Sequence, residues 1–219
     1  MEYVVRRSQR RTIGQEGLEL IRQSSSSPED VISALSMLVM TIRDQGRYAE
    51  ALALAEEADA LAISLKSGLR RSLTAFAIGK LSYLLDDQDR AIEYLDEALR
   101  ISLEHGASWF GFHSASGLAG ALLRRGDVSD AASSLRTAVG LWGEAGAVGA
   151  GGFLEKAAVL AVASGHPEAA ATLFGANTGQ EALFGIRADL DRWALAAQEA
   201  TRAQLGDEAF QRAMQAGAC

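Results

Sequence analysis

Arg43, Lys80, Tyr83 and His113 are the side chains best suited to grip an anion, and their spacing is regular. Each belongs to a set spaced i, i+3, i+7, i+10: Ser33, Ser36, Met40, Arg43; then Leu73, Phe76, Lys80, Tyr83; then His113, Ser116, Gly120, Leu123; then Gly152, Glu155, Val159, Val162. On a helix that spacing keeps a set on one side, away from the core stripe. Met40, Arg43, Phe76, Lys80, Tyr83 and His113 would form a cationic and aromatic strip, with room beside it at Ser116 and Gly120. Its chemistry would be recognition, by charge-assisted hydrogen bonds to a carboxylate or phosphate, without bond breaking. The alternative is a solvated helix face.

The remaining reactive residues do not assemble into a catalytic or cofactor site. The segment Gly111-Phe112-His113-Ser114-Ala115-Ser116-Gly117 is no nucleophile elbow, because neither serine has glycines two residues away on both sides. His105 and His166 sit at expected helix ends or turns, and no third ligand accompanies them at metal spacing. The glycines at 143, 146, 149, 151 and 152 follow no strand and have no lysine placed for a phosphate loop, so that stretch reads as a mobile joint. Arg6, Arg7, Arg10 and Arg11 read as a solvated terminus before an anion-binding arm. Trp109, Phe110, Phe112 and His113 are the densest aromatic cluster. They read first as core packing between neighbouring units and second as an exposed anchor for a partner.

The elements that position these residues recur. Ala51, Ala91 and Ala131 stand 40 apart, Ala170 follows 39 later, and Ala58, Ala98 and Ala138 repeat seven residues on. Five residues before each of the first four comes a turn residue: Gly46, Asp86, Gly126, Gly165. In the first unit Leu35, Leu38, Val39 and Ile42 give one apolar helical stripe, and Tyr48 to Leu61 carries a second. The same helix pair returns three times. Two antiparallel helices cross closely only where both are small, a need met by Val39/Ala51, Gly79/Ala91, Ala119/Ala131 and Ala158/Ala170. Self-similarity at this period predicts a helical solenoid whose units bury their apolar faces by stacking. Ser27 is placed to cap the first pair, with Pro28 at its first position. A weaker helix precedes the Ser24–Pro28 break. The pattern changes at Asn177, after which Leu190, Trp193, Ala194, Ala197 and Leu205 predict an amphipathic helix and Phe210 with Met214 a short last one.

These units resemble tetratricopeptide repeats: a small residue in the first helix, an alanine opening the second, and another seven further on. Their 40-residue length departs from the family's usual 34. Longer repeats of this kind are similar to those of bacterial signalling NTPases and LuxR-type transcriptional regulators. The tail is similar to the pattern closing such regions: Ala171-Thr172-Leu173-Phe174-Gly175-Ala176, Gln204-Leu205-Gly206-Asp207-Glu208-Ala209-Phe210, and Ala213-Met214-Gln215-Ala216-Gly217. The resemblance implies that first helices line a concave groove, which would hold the strip described above. It does not carry over NTP hydrolysis, because the chain has no G-x-x-x-x-G-K-[ST] sequence.

The expected architecture is therefore all-α: a right-handed, TPR-like helical-hairpin solenoid of about 40-residue repeats. Residues 1–26 form an N-terminal arm, 27–178 four hairpins, and 179–219 C-terminal capping helices. Two prolines in 219 residues and 48% apolar content fit a helix-rich chain with a continuous core. A net charge of −7 disfavours direct nucleic-acid binding. No run is long and apolar enough for a membrane span, and the single cysteine, Cys219, fits a reducing, cytoplasmic compartment. The expected function is a non-catalytic scaffold without cofactor or metal, binding a protein or acidic peptide in bacterial signalling or transcriptional regulation. The alternative is the small-molecule-sensing arm of a regulator, with a small anionic ligand in the groove.

Overall fold

The structure is a computed structural model. It describes residues 27–145, 151–184 and 192–218, together with Glu19. The expected N-terminal helix, the four arginines at 6–11, and Leu190 lie outside the described residues, as does 146–150 of the expected joint. Among the described residues there are ten helices in chain order and no strand. They are α1 (Pro28–Arg43), α2 (Tyr48–Ser64), α3 (Gly68–Leu84), α4 (Gln88–Glu104), α5 (Ser108–Arg125), α6 (Val128–Ala145), α7 (Gly151–Ala163), α8 (Pro167–Phe184), α9 (Arg192–Leu205) and α10 (Asp207–Ala218). The chain divides into two compact units, the first ending at Ser114 and the second beginning at Ala115.

Local signals set the helix boundaries. Ser27 and Asp30 form a reciprocal capping box, with the Asp30 amide donating to Ser27 Oγ at 3.3 Å and the Ser27 amide donating to Asp30 Oδ2 at 3.2 Å. The four predicted turn residues all adopt left-handed backbone: Gly46 at φ +76°, Asp86 at +66°, Gly126 at +94° and Gly165 at +77°. Asp87 then caps α4 by accepting from the Arg90 amide at 3.2 Å. Asp86 and Asp87 are thus part of the turn itself.

In the first unit, Ile32, Leu35, Leu38, Val39 and Ile42 of α1 pack with Ala51, Ala55, Ala58 and Ala62 of α2 and with Ile78 and Leu81 of α3. The alanines that define the repeat are sealed: Ala51, Ala91, Ala131 and Ala170 are all fully buried. α3 and α4 approach still more closely. A Cβ added at Gly79 would lie 2.6 Å from Leu95 Cγ and 3.1 Å from the Leu95 amide nitrogen. Leu95, one turn beyond the expected partner Ala91, thus supplies the nearest atoms at this crossing.

In the second unit, α7 pairs with α8, and α10 packs along α8. Two glycines make that contact possible. A Cβ at Gly175 would overlap the Met214 carbonyl, and one at Gly217 would overlap that of Thr172. The last helix thus docks backbone to backbone, with Phe210 as its buried apolar residue. Asn177, where the pattern changes, is buried within α8, which continues to Phe184.

Candidate functional site

α1, α3 and the start of α5 are neighbours in the first unit. Arg70 of α3 donates to the Glu29 carbonyl at 3.1 Å and to Ser33 Oγ at 3.3 Å, both on α1. On its other side, Phe76 of α3 meets three rings of α5. Its ring centroid is 6.4 Å from Trp109, 6.5 Å from Phe110 and 6.3 Å from His113. Trp109 and His113 are four residues apart, which puts them on one helical face, and their rings are 4.1 Å apart. Edge-to-face packing of Trp109 on Phe110, at 4.9 Å and 88°, completes the group.

The aromatic cluster splits between the two sequence readings. Phe112 is core, at 1% exposure, whereas Trp109 is 45% exposed with Phe110 and His113 half-buried beside it. Lys80 stands one turn beyond Phe76, with its ammonium 5.6 Å from the Tyr83 ring. Burial among these rings pushes His113 down to about 4, and the nearby positive charge of Lys80 adds to the effect. The imidazole is therefore neutral near pH 7, able to donate or accept a hydrogen bond without carrying charge.

The other predicted strip residues fall as follows. Met40 is exposed on α1, and Arg43 is half-buried with its guanidinium 2.9 Å from Asp44. Phe76 and Lys80 are half-buried, while Tyr83 is buried. Ser116 is buried and belongs to the second unit. The structure thus brings together Phe76, Lys80, Tyr83 and His113, and adds Trp109 and Phe110, which the strip did not include; Arg70, also outside the strip, bonds to α1 instead. His105 and His166 sit at helix ends as expected, and the His105 ring lies over Gly68. No group of residues able to hold a metal ion occurs among the described residues. No described helix is long and apolar enough to cross a membrane.

One sequence signal points to this face more directly than register does. Helix α3 carries Arg70, Arg71 and Lys80 and no carboxylate, and α5 carries His113, Arg124 and Arg125 and no carboxylate. Helix α2, by contrast, carries Glu50, Glu56, Glu57 and Asp59 and no cation. In a chain of net charge −7, α3 and α5 are kept free of the sign that dominates elsewhere, whereas α1 carries Glu29 and Asp30 in its first turn.

Sequence reasoning missed a second polar group, which joins hairpins rather than lining a face. Asp59 of α2, only 8% exposed in its side chain, pairs with Arg71 of α3 and accepts from Thr74 Oγ1 at 2.5 Å. Arg71 reaches on to Glu97 of α4 at 2.6 Å. Arg90 of α4 returns to Glu56 of α2, and Tyr94 stacks between Arg71 and Arg90 at 5.7 and 5.4 Å. This ring of charges locks three helices together, from the buried Asp59 outward to the more exposed Glu56, Arg90 and Glu97.

Comparison with known proteins bears on the fold. Residues 30–104 match the tetratricopeptide repeat family. No curated protein matches the chain. Among solved structures, the chain is similar to the nearly identical TPR-like repeats of a kinesin light chain-type protein from Podosopora anserina, at 19% identity and a TM-score of 0.62. That similarity covers 87% of this chain and 94% of the other. It is also similar to BtubC (BKLC) from P. vanneervenii, at 15% identity and a TM-score of 0.67, over 97% of this chain and 89% of that one. At such identities the likeness speaks for architecture. The chain is an all-α protein of TPR-like helical hairpins, and its residues 30–104 carry the tetratricopeptide signature itself.

Proposed function

We propose that this protein is a non-catalytic scaffold that binds an acidic protein segment across the face of α1, α3 and α5 in its first unit. The observation that carries this reading is the segregation of charge and rings on that face. Lys80, Arg70, Phe76, Trp109 and His113 stand on helices α3 and α5, which lack carboxylates, within an acidic chain. A partner's carboxylates would be drawn to Lys80, and an apolar or aromatic side chain would rest on Trp109 and Phe76. Tetratricopeptide hairpins commonly serve protein–protein interaction, in keeping with this reading.

A setting in bacterial signalling or transcriptional control is supported by the tail. Of the three segments that resemble the close of such regulators' repeat regions, the first and third pack on one another, with Gly175 against Met214 and Gly217 against Thr172.

Selection of a random peptide library on the full chain tests the reading. Enriched peptides should combine Asp or Glu with an aromatic or large apolar residue, and should be lost on Lys80→Glu and at high salt. Enrichment without acidic bias, or equal recovery on the variant, would refute it. A thermal-shift screen of small organic anions on the same pair of proteins reads the ligand-sensing alternative.

A further inference from the structure

Two turns of the first unit join one hairpin to the next, residues 65–67 between α2 and α3 and residues 105–107 between α4 and α5. Each is flanked by a pair of large apolar side chains in the same register. Ile63 and Leu69 flank the first, Leu103 and Trp109 flank the second 40 residues on, and all four are 45–55% exposed. Single exposed apolar residues are ordinary on a protein surface, but a pair that recurs at successive turns is not scattered. Nor does the repeat itself demand it. Gln23 and Glu29 hold these positions one unit earlier, and Gly143 and Gly149 one unit later.

The two turns lie side by side. Within one hairpin the start of α3 meets the end of α4, and the His105 ring rests on Gly68, where a Cβ would overlap Nε2. Leu69 follows Gly68, and Leu103 stands two residues before His105, so this contact joins the two pairs into one edge. Trp109 also packs with Phe76 and His113, which makes the edge continuous with the face proposed for the partner.

Charge decides what such an edge accepts. Lys66 is exposed in the first turn, and the acceptors of Arg70 on α1 are a carbonyl and a hydroxyl, neither of them charged. At the second turn Arg100 and Glu104 pair at 2.7 Å and offset each other. The edge is thus apolar with a positive flank, in a chain of net charge −7. A second copy of the chain would bring another positive flank onto it, whereas an acidic segment complements it. We propose that the edge built from Ile63, Leu69, Leu103 and Trp109 takes large apolar side chains of the acidic partner segment, whose carboxylates there lie toward Lys66 and Arg70. Resting on the reading of the α1, α3 and α5 face as the partner surface, this extends that surface around Trp109 to the hairpin turns.

Titration of the full chain with an acidic peptide from the library selection is the experiment, with unfolding midpoints measured alongside. Leu69→Ser combined with Leu103→Ser should weaken binding at least about ten-fold and leave the midpoint close to that of the wild type, since both side chains are exposed. Lys66→Glu should weaken it about three-fold or more at low salt and by less at high salt. Val139→Ser, at an exposed position of the second unit, should bind as the wild type does. Wild-type affinity in the double variant, with binding still lost on Lys80→Glu, would overturn the edge and leave the face standing. Wild-type affinity in both, or a library that yields no acidic peptide, would overturn edge and face together. Sedimentation of the protein without peptide should show a monomer, and a dimer abolished by the double variant would assign the edge to a second copy instead.

Discussion

Replacing Arg71 by methionine should be among the most damaging single changes in the first unit, and the reason is electrostatic. Arg71 is the only cation paired with Asp59 among the described residues, and the Asp59 side chain is 8% exposed. Removing one partner of a buried pair leaves a charge that neither water nor protein neutralises, typically at 3–5 kcal/mol. Two features place this case at the lower end. The Arg71 side chain retains 16% exposure, and Thr74 still donates to Asp59 Oδ1. The expected loss is therefore about 3 kcal/mol. Glu97, about a third exposed, contributes little of it. The same logic predicts a rescue. Adding Asp59→Asn to Arg71→Met removes the stranded charge but keeps the acceptor for Thr74, so the double variant should recover about 2 kcal/mol of the loss. Urea unfolding at pH 7, followed by helical circular dichroism with the slope held constant, measures both. A loss below about 1 kcal/mol for Arg71→Met, or a double variant less stable than the single, would refute the account of this ring.

Three further outcomes follow from the geometry. Ala91→Leu places a larger side chain where the alanine is fully buried and should destabilise by roughly 1–3 kcal/mol in the same assay. Gly175→Ala sets a Cβ against the Met214 carbonyl and should loosen α10, lowering stability by about 2 kcal/mol and speeding exchange of the α10 amides. His113 is held low, at about 4, so the unfolded chain binds its proton more readily between there and pH 6.5. Stability should hold above pH 6.5 and fall as pH drops toward 4. Discounted for the half-exposed ring, the fall is about 1–2 kcal/mol, and His113→Leu should remove that part of the slope.

The repeat was legible in the chain because its signal is redundant. Ala51, Ala91, Ala131 and Ala170 must each be small for the same steric reason, and Gly46, Asp86, Gly126 and Gly165 each turn the chain in the same left-handed conformation. The aromatic cluster was only half legible. Rings at 109, 110, 112 and 113 wind around a helix, so no single assignment could hold for all four, and Phe112 went to the core while Trp109 stayed out. Asp59 was illegible. In α2 it follows Glu56 and Glu57 and looks like one more solvated acid, and only the stacking of α3 encloses it. The seat of α10 was hidden likewise, since Gly175 and Gly217 lie 42 residues apart and show their purpose only when two backbones meet.

The central claim is that Lys80 and the Trp109 surface bind an acidic protein segment. Its most direct test is the affinity of a selected acidic peptide for the wild type, Lys80→Glu and Trp109→Ala, with unfolding midpoints measured alongside. Each substitution should weaken binding at least about ten-fold while leaving the midpoint close to that of the wild type. Unchanged affinity in both variants would contradict the claim.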